Sequence, residues 1–363
     1  MARIVGIGNP LFDVFAPAGE NAHLVPPAGE SGTHHTSAAQ MGKTLENLHG
    51  GAWVAGGSAR NTLAVLAMFS HQAYLVGVVG RDAQGERYRA ALGEAGIADC
   101  LHESPEPTGV CVTLAPSMPR AGDTRTEKDA SQDREKPGVT RGMEMGRGSE
   151  THVIVAPGAA AAATELEDSL PKNPDVVHLE GYAFSRRRLV EHVVEYAANS
   201  GALLSIDLAH PMPVGAYWSA VQARIVEAGD RLGWNRAPIV FGTEAEVEAC
   251  AGGLEEARNT LVEAGFIVVV KKGPAGAAVF SRGERRDYPG DPVETVVDDT
   301  GAGDVFAGGF LAALLGGKPL GACCRIANTA AALSVKNLGG RLTPEQYGIL
   351  FERFDADERA ETP

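Results

Sequence analysis

The sequence predicts an α/β fold, a doubly wound and mostly parallel sheet with helices on both faces and a small β lid. Three observations carry this. Short Val-, Ile- and Leu-rich runs bounded by Gly, Asp or Pro recur along the 363 residues: Arg3–Ile7, Ala73–Val79, Val176–Leu179, Leu203–Ile206, Ile239–Phe241 and Phe266–Val270. Unbroken apolar strands suit a sheet buried on both faces. Between them lie stretches with apolar residues three and four apart, at Asn61–Phe69, Gly85–Ala95, Ser185–Ala198, Trp218–Ala228 and Glu244–Cys250, and strand-then-helix alternation implies parallel pairing. Third, residues 15–50 and 100–160 break that rhythm, the second through the alternating run Thr108–Leu114.

Taken in order, residues 1–14, 51–99 and 161–354 form the large domain, and residues 15–50 and 100–160 the lid. Residues 119–150 are charged, Gly-rich and nearly free of large apolar side chains, so they bury too little surface to offset their ordering entropy and read as a disordered insertion. Residues 355–363 read as a frayed tail. Thr164, after the alanine tract 159–163, is placed to cap a helix.

Composition excludes several function classes. The formal net charge is −14, from 32 Lys+Arg against 46 Asp+Glu, which repels phosphate backbones and anionic lipid, so neither nucleic acid nor membrane is an expected partner. Cys100, Cys111, Cys250, Cys323 and Cys324 form no zinc spacing and leave an odd count, which points to a reducing compartment. With no secretory h-region before Arg3 and no membrane-length apolar run, the expected location is cytoplasmic.

The strongest chemical signal is Thr300-Gly301-Ala302-Gly303-Asp304, followed by the apolar stretch Val305–Leu315. Small residues at a helix start let an anion approach unpaired N–H groups and the positive end of the helix dipole. Phosphoryl transfer needs that charge stabilisation more than covalent chemistry. A carboxylate at the mouth can take the proton of an attacking hydroxyl, which makes Asp304 the candidate base, with Gly301, Ala302 and Gly303 as the anion hole. Gly308 and Gly309 are expected to let this helix pack on the sheet. The competing reading is a glycine turn that Asp304 only caps.

The segment Asp298–Asp304 resembles the C-terminal signature of the ribokinase (PfkB) family of carbohydrate and nucleoside kinases, and Gly56-Gly57-Ser58-Ala59-Arg60-Asn61 resembles its N-terminal one. Asp299 departs from the usual small residue. The opening Gly6–Asp13 is most similar to that of eukaryotic adenosine kinases. The resemblance implies a ribokinase-like fold, with Asp13 as the anchor of the sugar hydroxyls and Asn9, Leu11, Gly56, Gly57, Ser58, Asn61, Cys111 and Tyr182 lining the acceptor. It places ATP at Lys271, Gly273, Gly276 and Asn328, and Mg²⁺ at Glu246 through water, where Thr243 replaces the family's amide. Asp298 is a candidate ligand for a monovalent cation such as K⁺. A basic residue after the lid hairpin is implied for phosphate charge, with Arg147 and His152 the two choices. For stacking of a base, Tyr182, Phe184 and Met212 are open.

Other signals fail. Gly42-Lys43-Thr44 ends like a P-loop, but position 37 is serine; Gly6-Ile7-Gly8 starts like a dinucleotide fingerprint, but position 11 is leucine. No histidine has zinc spacing. The function expected is ATP-dependent phosphorylation of the 5′-hydroxyl of adenosine or a related nucleoside, by a monomer or homodimer. A ribokinase-like sugar kinase and a catalytically weak nucleoside-binding protein are the alternatives.

Overall fold

The computed structural model describes residues 1–24, 33–115, 151–162 and 170–359. In chain order the elements are β1 (Arg3–Ile7), β2 (Leu11–Pro17), β3 (Thr33–His35), α1 (Ala38–Glu46), β4 (Ala52–Gly56), α2 (Ser58–Met68), β5 (Gln72–Gly80), α3 (Ala83–Glu94), β6 (Ile97–Ser104), β7 (Gly109–Ala115) and β8 (His152–Ala156). There follow β9 (Val176–Glu180), α4 (Arg187–Ser200), β10 (Leu203–Asp207), α5 (Pro211–Leu232), β11 (Ile239–Thr243), α6 (Glu244–Glu248) and α7 (Leu254–Glu263). The last are β12 (Ile267–Lys271), β13 (Ala277–Ser281), β14 (Glu284–Tyr288), α8 (Ala302–Leu315), α9 (Leu320–Ser334) and α10 (Pro344–Arg359).

A nine-stranded sheet runs β14-β13-β12-β11-β10-β9-β1-β5-β6. It is parallel from β12 to β6, and β13 and β14 close one edge antiparallel. Strands alternate their side chains between faces: Val5 and Ile7 join a core with Leu189, Val193 and Trp218 from α4 and α5, and Ile4 joins the opposite core with Leu63, Phe310 and Ile326 from α2, α8 and α9. This is the two-faced burial that uninterrupted apolar strands require.

The smaller sheet has the order β3-β8-β7-β2-β4. Val14, Val112 and Ile154 pack there with Met41 of α1. Here the expected boundaries shift. Residues 11–14 and 52–56 belong to the small sheet, since β2 pairs with β4 and β7, while 100–104 belong to the large one through β5. The hydrogen-bond ladder decides this, and composition does not display it. The insertion 119–150 and Thr164 lie outside the described residues.

Helix α8 is buried along one continuous stretch, Val305 to Ala313. A Cβ on Gly308 would stand 2.7 Å from Thr62 O, and one on Gly309 3.0 Å from Ala330 Cβ. These glycines therefore admit α2 and α9, not the sheet. No helix among the described residues is long and apolar enough to cross a membrane.

Candidate active site

Asp304 lies in the first turn of α8, where Gly301 adopts φ 76° as the N-terminal cap, a conformation that glycine takes without steric cost. Its carboxylate accepts hydrogen bonds from Ser58 Oγ (2.7 Å) and Asn61 Nδ2 (3.1 Å), both at the start of α2, and Thr62 Oγ1 donates to its backbone carbonyl at 3.1 Å. Loss of solvent and the nearby Asp207 push its pKa up to about 6, against the pull of Ser58, Lys271 and Asn61. A carboxylate so poised is ionised at neutral pH and basic enough to take a hydroxyl proton.

Within the turn, Ala302 N–H donates to Asp299 O at 3.1 Å, so it leaves the expected anion hole. The N–H groups of Gly301 and Gly303 have no partner among the described residues. Asp298 fastens the turn: its carboxylate accepts from Thr300 N–H at 3.1 Å and from Gly339 N–H at 2.7 Å.

Asp13 stands on β2 in register with Val54 of β4 and Cys111 of β7, on the face opposite Val14. A Cβ on Gly56 would collide with its carboxylate, which explains the glycine there. Burial, then Asp298 and Asp304, raise its pKa to about 7. Burial also pushes the Cys111 thiol up, with Asp13 adding to it. The buried Arg60 faces this group; its Nη1 donates to Asn61 Oδ1 at 3.4 Å, and its Nε has no partner among the described residues. Leu11 opens β2 between Gly56 and Gly109.

Glu180, at the end of β9, accepts from Asn9 N–H (2.7 Å) and Ala59 N–H (3.0 Å), and burial raises it to about 7. Arg186 donates to Asn9 Oδ1 at 2.7 Å. The Asn9 backbone N–H and Oδ1 are thus tied to the framework, which leaves Nδ2 as the polar group it could offer an acceptor. Gly57, at φ 99°, precedes α2 with a Cβ position 2.5 Å from Asn9 O. Tyr182 is 44% exposed and Met212 60%; the Tyr182 ring lies 6.4 Å from His210 at a 35° tilt. Phe184 is removed from the stacking candidates, because it is buried against Trp218.

Lys271, at the end of β12, pairs with both carboxylate oxygens of Asp207 at 2.9 Å. The other residues assigned to ATP gather elsewhere: Gly273–Ala275 form a short turn, a Cβ on Gly276 would strike Tyr288 O, and Asn328 Nδ2 donates to Tyr288 O (3.3 Å) and Pro289 O (2.9 Å). Thr243 and Glu246 make a reciprocal capping box on α6, the physical use of threonine there. One Glu246 oxygen takes the Thr243 N–H, and the other has no hydrogen-bond partner among the described residues. No cage of three metal-ligating side chains exists among the described residues. Mg²⁺ that arrives on phosphate oxygens and keeps its waters needs only one or two carboxylates, and Glu246 fits that demand.

Glu180, Asp207, Arg60 and Arg186 are site residues that sequence reasoning missed. The readable signal was an acid directly after an apolar run, at Leu179-Glu180 and Ile206-Asp207, because ligands of open α/β sheets bind at the carboxyl ends of strands. Gly42-Lys43-Thr44 lies inside α1, which disposes of the P-loop.

The chain is 28% identical over 308 residues to an ATP-dependent ribose-1-phosphate kinase of Halopiger xanaduensis, covering 83% of this chain and 88% of that protein. It is 25% identical over 347 residues to a ribokinase of Arabidopsis thaliana, covering 93% and 76%. The solved adenosine kinase of Sinorhizobium meliloti superposes with a TM-score of 0.75 at 19% identity, over 97% of this chain and 99% of that one, and so shares the ribokinase-like fold. A family model for pfkB family carbohydrate kinases matches residues 39–118 and 126–346, and the chain therefore belongs to that family.

Proposed function

We propose that the protein transfers the γ-phosphoryl group of Mg-ATP to the 5′-hydroxyl of a nucleoside, with adenosine the preferred acceptor. The observation that carries the transfer is the convergence of Ser58 and Asn61 on Asp304, a carboxylate near enough to Asp13 to help raise its pKa. A base, a carboxylate suited to a diol and two N–H groups that are uncommitted among the described residues then stand near one another. Asp13 accepts hydrogen bonds from the two vicinal ribose hydroxyls, Asp304 takes the proton of the attacking 5′-hydroxyl, and Gly301 and Gly303 meet the phosphoryl oxygens. Mg²⁺ bound with the nucleotide neutralises polyphosphate charge. The exposed Tyr182 beside His210 supports a base over a bare sugar, since a flat ring offers stacking.

A second reading, a sugar or sugar-phosphate acceptor, is favoured by the buried Arg60 guanidinium near Asp13 and by the ribose-1-phosphate kinase relative. The deciding assay follows ADP and phosphorylated product with adenosine, inosine, guanosine, ribose, ribose-1-phosphate and fructose, with Mg²⁺ and with or without K⁺. Adenosine should give the highest kcat/KM. A higher value for a free sugar or ribose-1-phosphate replaces the nucleoside reading, and no turnover leaves a binding protein. A K⁺ effect that Asp298→Asn abolishes would place the monovalent cation at Asp298.

A further inference from the structure

The resemblance implies a basic residue after the lid hairpin to meet the migrating phosphoryl group. Of the two choices, Arg147 lies outside the described residues, and His152 sits in the small sheet opposite Leu114. Another cation already stands at the catalytic turn. Lys271 Nζ lies 2.9 Å from the position of a Cβ on Gly303, so the ammonium is lodged against a residue whose N–H is uncommitted. The Lys271 side chain is 11% exposed and that of Asp207 1%. Burial works against the lysine's charge, but Asp207, Glu246 and Asp304 outweigh it, and the group stays protonated.

We propose that Lys271 is a catalytic residue for the transferred phosphoryl group: held in readiness on Asp207, its ammonium contacts a non-bridging oxygen of that group at the Gly303 turn. This deepens the kinase reading and rests on it. In the transfer, the acceptor oxygen bonds to the γ-phosphorus, and the bond from that phosphorus to the β–γ bridging oxygen breaks. ADP leaves with the electron pair, and the hydroxyl proton passes to Asp304. Lys271 remains protonated throughout. A cation fixed in advance stabilises the charge spread over the equatorial oxygens without reorganising during the reaction. Asp207 keeps the ammonium charged and aimed while no phosphate is present, a requirement that a lone buried lysine fails.

The test compares wild type with Lys271→Met, Lys271→Arg and the double variant Lys271→Met/Asp207→Asn, which leaves no orphaned buried carboxylate; circular dichroism melts check each fold. Two readouts are needed: kcat and KM for ATP with the best acceptor, and ADP affinity with and without Mg²⁺, fluoroaluminate and acceptor. Both Met variants should lose about 10²–10³-fold in kcat, keep ADP affinity within about threefold, and lose the tightening that fluoroaluminate gives the wild type. Lys271→Arg should recover part of kcat. The proposal is overturned by a kcat within about threefold of wild type, by a raised ATP KM at unchanged kcat, or by retained fluoroaluminate tightening. A wild type that phosphorylates no acceptor overturns the kinase reading and this proposal together, whereas an active wild type with an active Lys271→Met overturns the proposal alone.

Discussion

Asp304 works through its neighbours as much as through its own carboxylate. Asp304→Asn should keep acceptor binding and lose about 10²-fold or more in kcat, read by steady-state kinetics beside a binding titration. Because its pKa is raised to about 6, kcat/KM should fall with an acid limb near that value as the base is protonated. Ser58 donates to the carboxylate and holds that pKa down, so Ser58→Ala should move the limb to higher pH; a limb that stays in place would remove Ser58 from this role. Of these residues, Asp304, Gly301, Gly303, Asp13 and Asn61 were legible because they sit in three contiguous motifs. Arg60, Glu180 and Asp207 were not, since their importance comes from burial and from partners 121 residues away in one instance, which no local pattern displays. Nor did the sequence display that the Asn9 backbone N–H and Oδ1 are held by Glu180 and Arg186.

Among the elements, α6 carries Glu246 and α8 carries Asp304, each in its first turn. Thr243 caps α6 and in return receives Glu246, so Thr243→Ala should cost about 1 kcal/mol, whereas Thr243→Asn should retain the cap; thermal unfolding distinguishes them. In α8, a Cβ on Gly309 already meets Ala330 at 3.0 Å and Ala327 at 3.3 Å. Gly309→Leu should therefore destabilise by about 1–3 kcal/mol or more, as overpacking does, and lower activity by displacing the Asp304 turn. The large sheet's parallel strands could be read from their apolar runs, because burial on both faces leaves an unbroken pattern. The lid boundaries could not: β2 and β6 are as apolar or as mixed as their neighbours, and only strand pairing assigns β2 to one sheet and β6 to the other.

For the whole molecule, Asp13, Glu180 and Asp304 all have pKa values raised to between about 6 and about 7. Between the ordinary carboxylate range and these values, the folded state binds more protons than the unfolded one. Stability therefore falls as pH rises through about 6 to 7, and the ligand-free protein should melt at a higher temperature at pH 5.5 than at pH 8. The Asp13→Asn/Glu180→Gln variant should flatten that dependence, and an unchanged slope would assign it to other groups. The bond from Asn61 to Asp304 joins residues 243 positions apart. At 5–20 residues per second of synthesis, the two are separated by about 12–50 s on the ribosome. The emerging chain thus holds the residues proposed to bind the acceptor well before it holds the proposed base, and on that reading the catalyst is switched on only when the last third of the polypeptide closes onto the first.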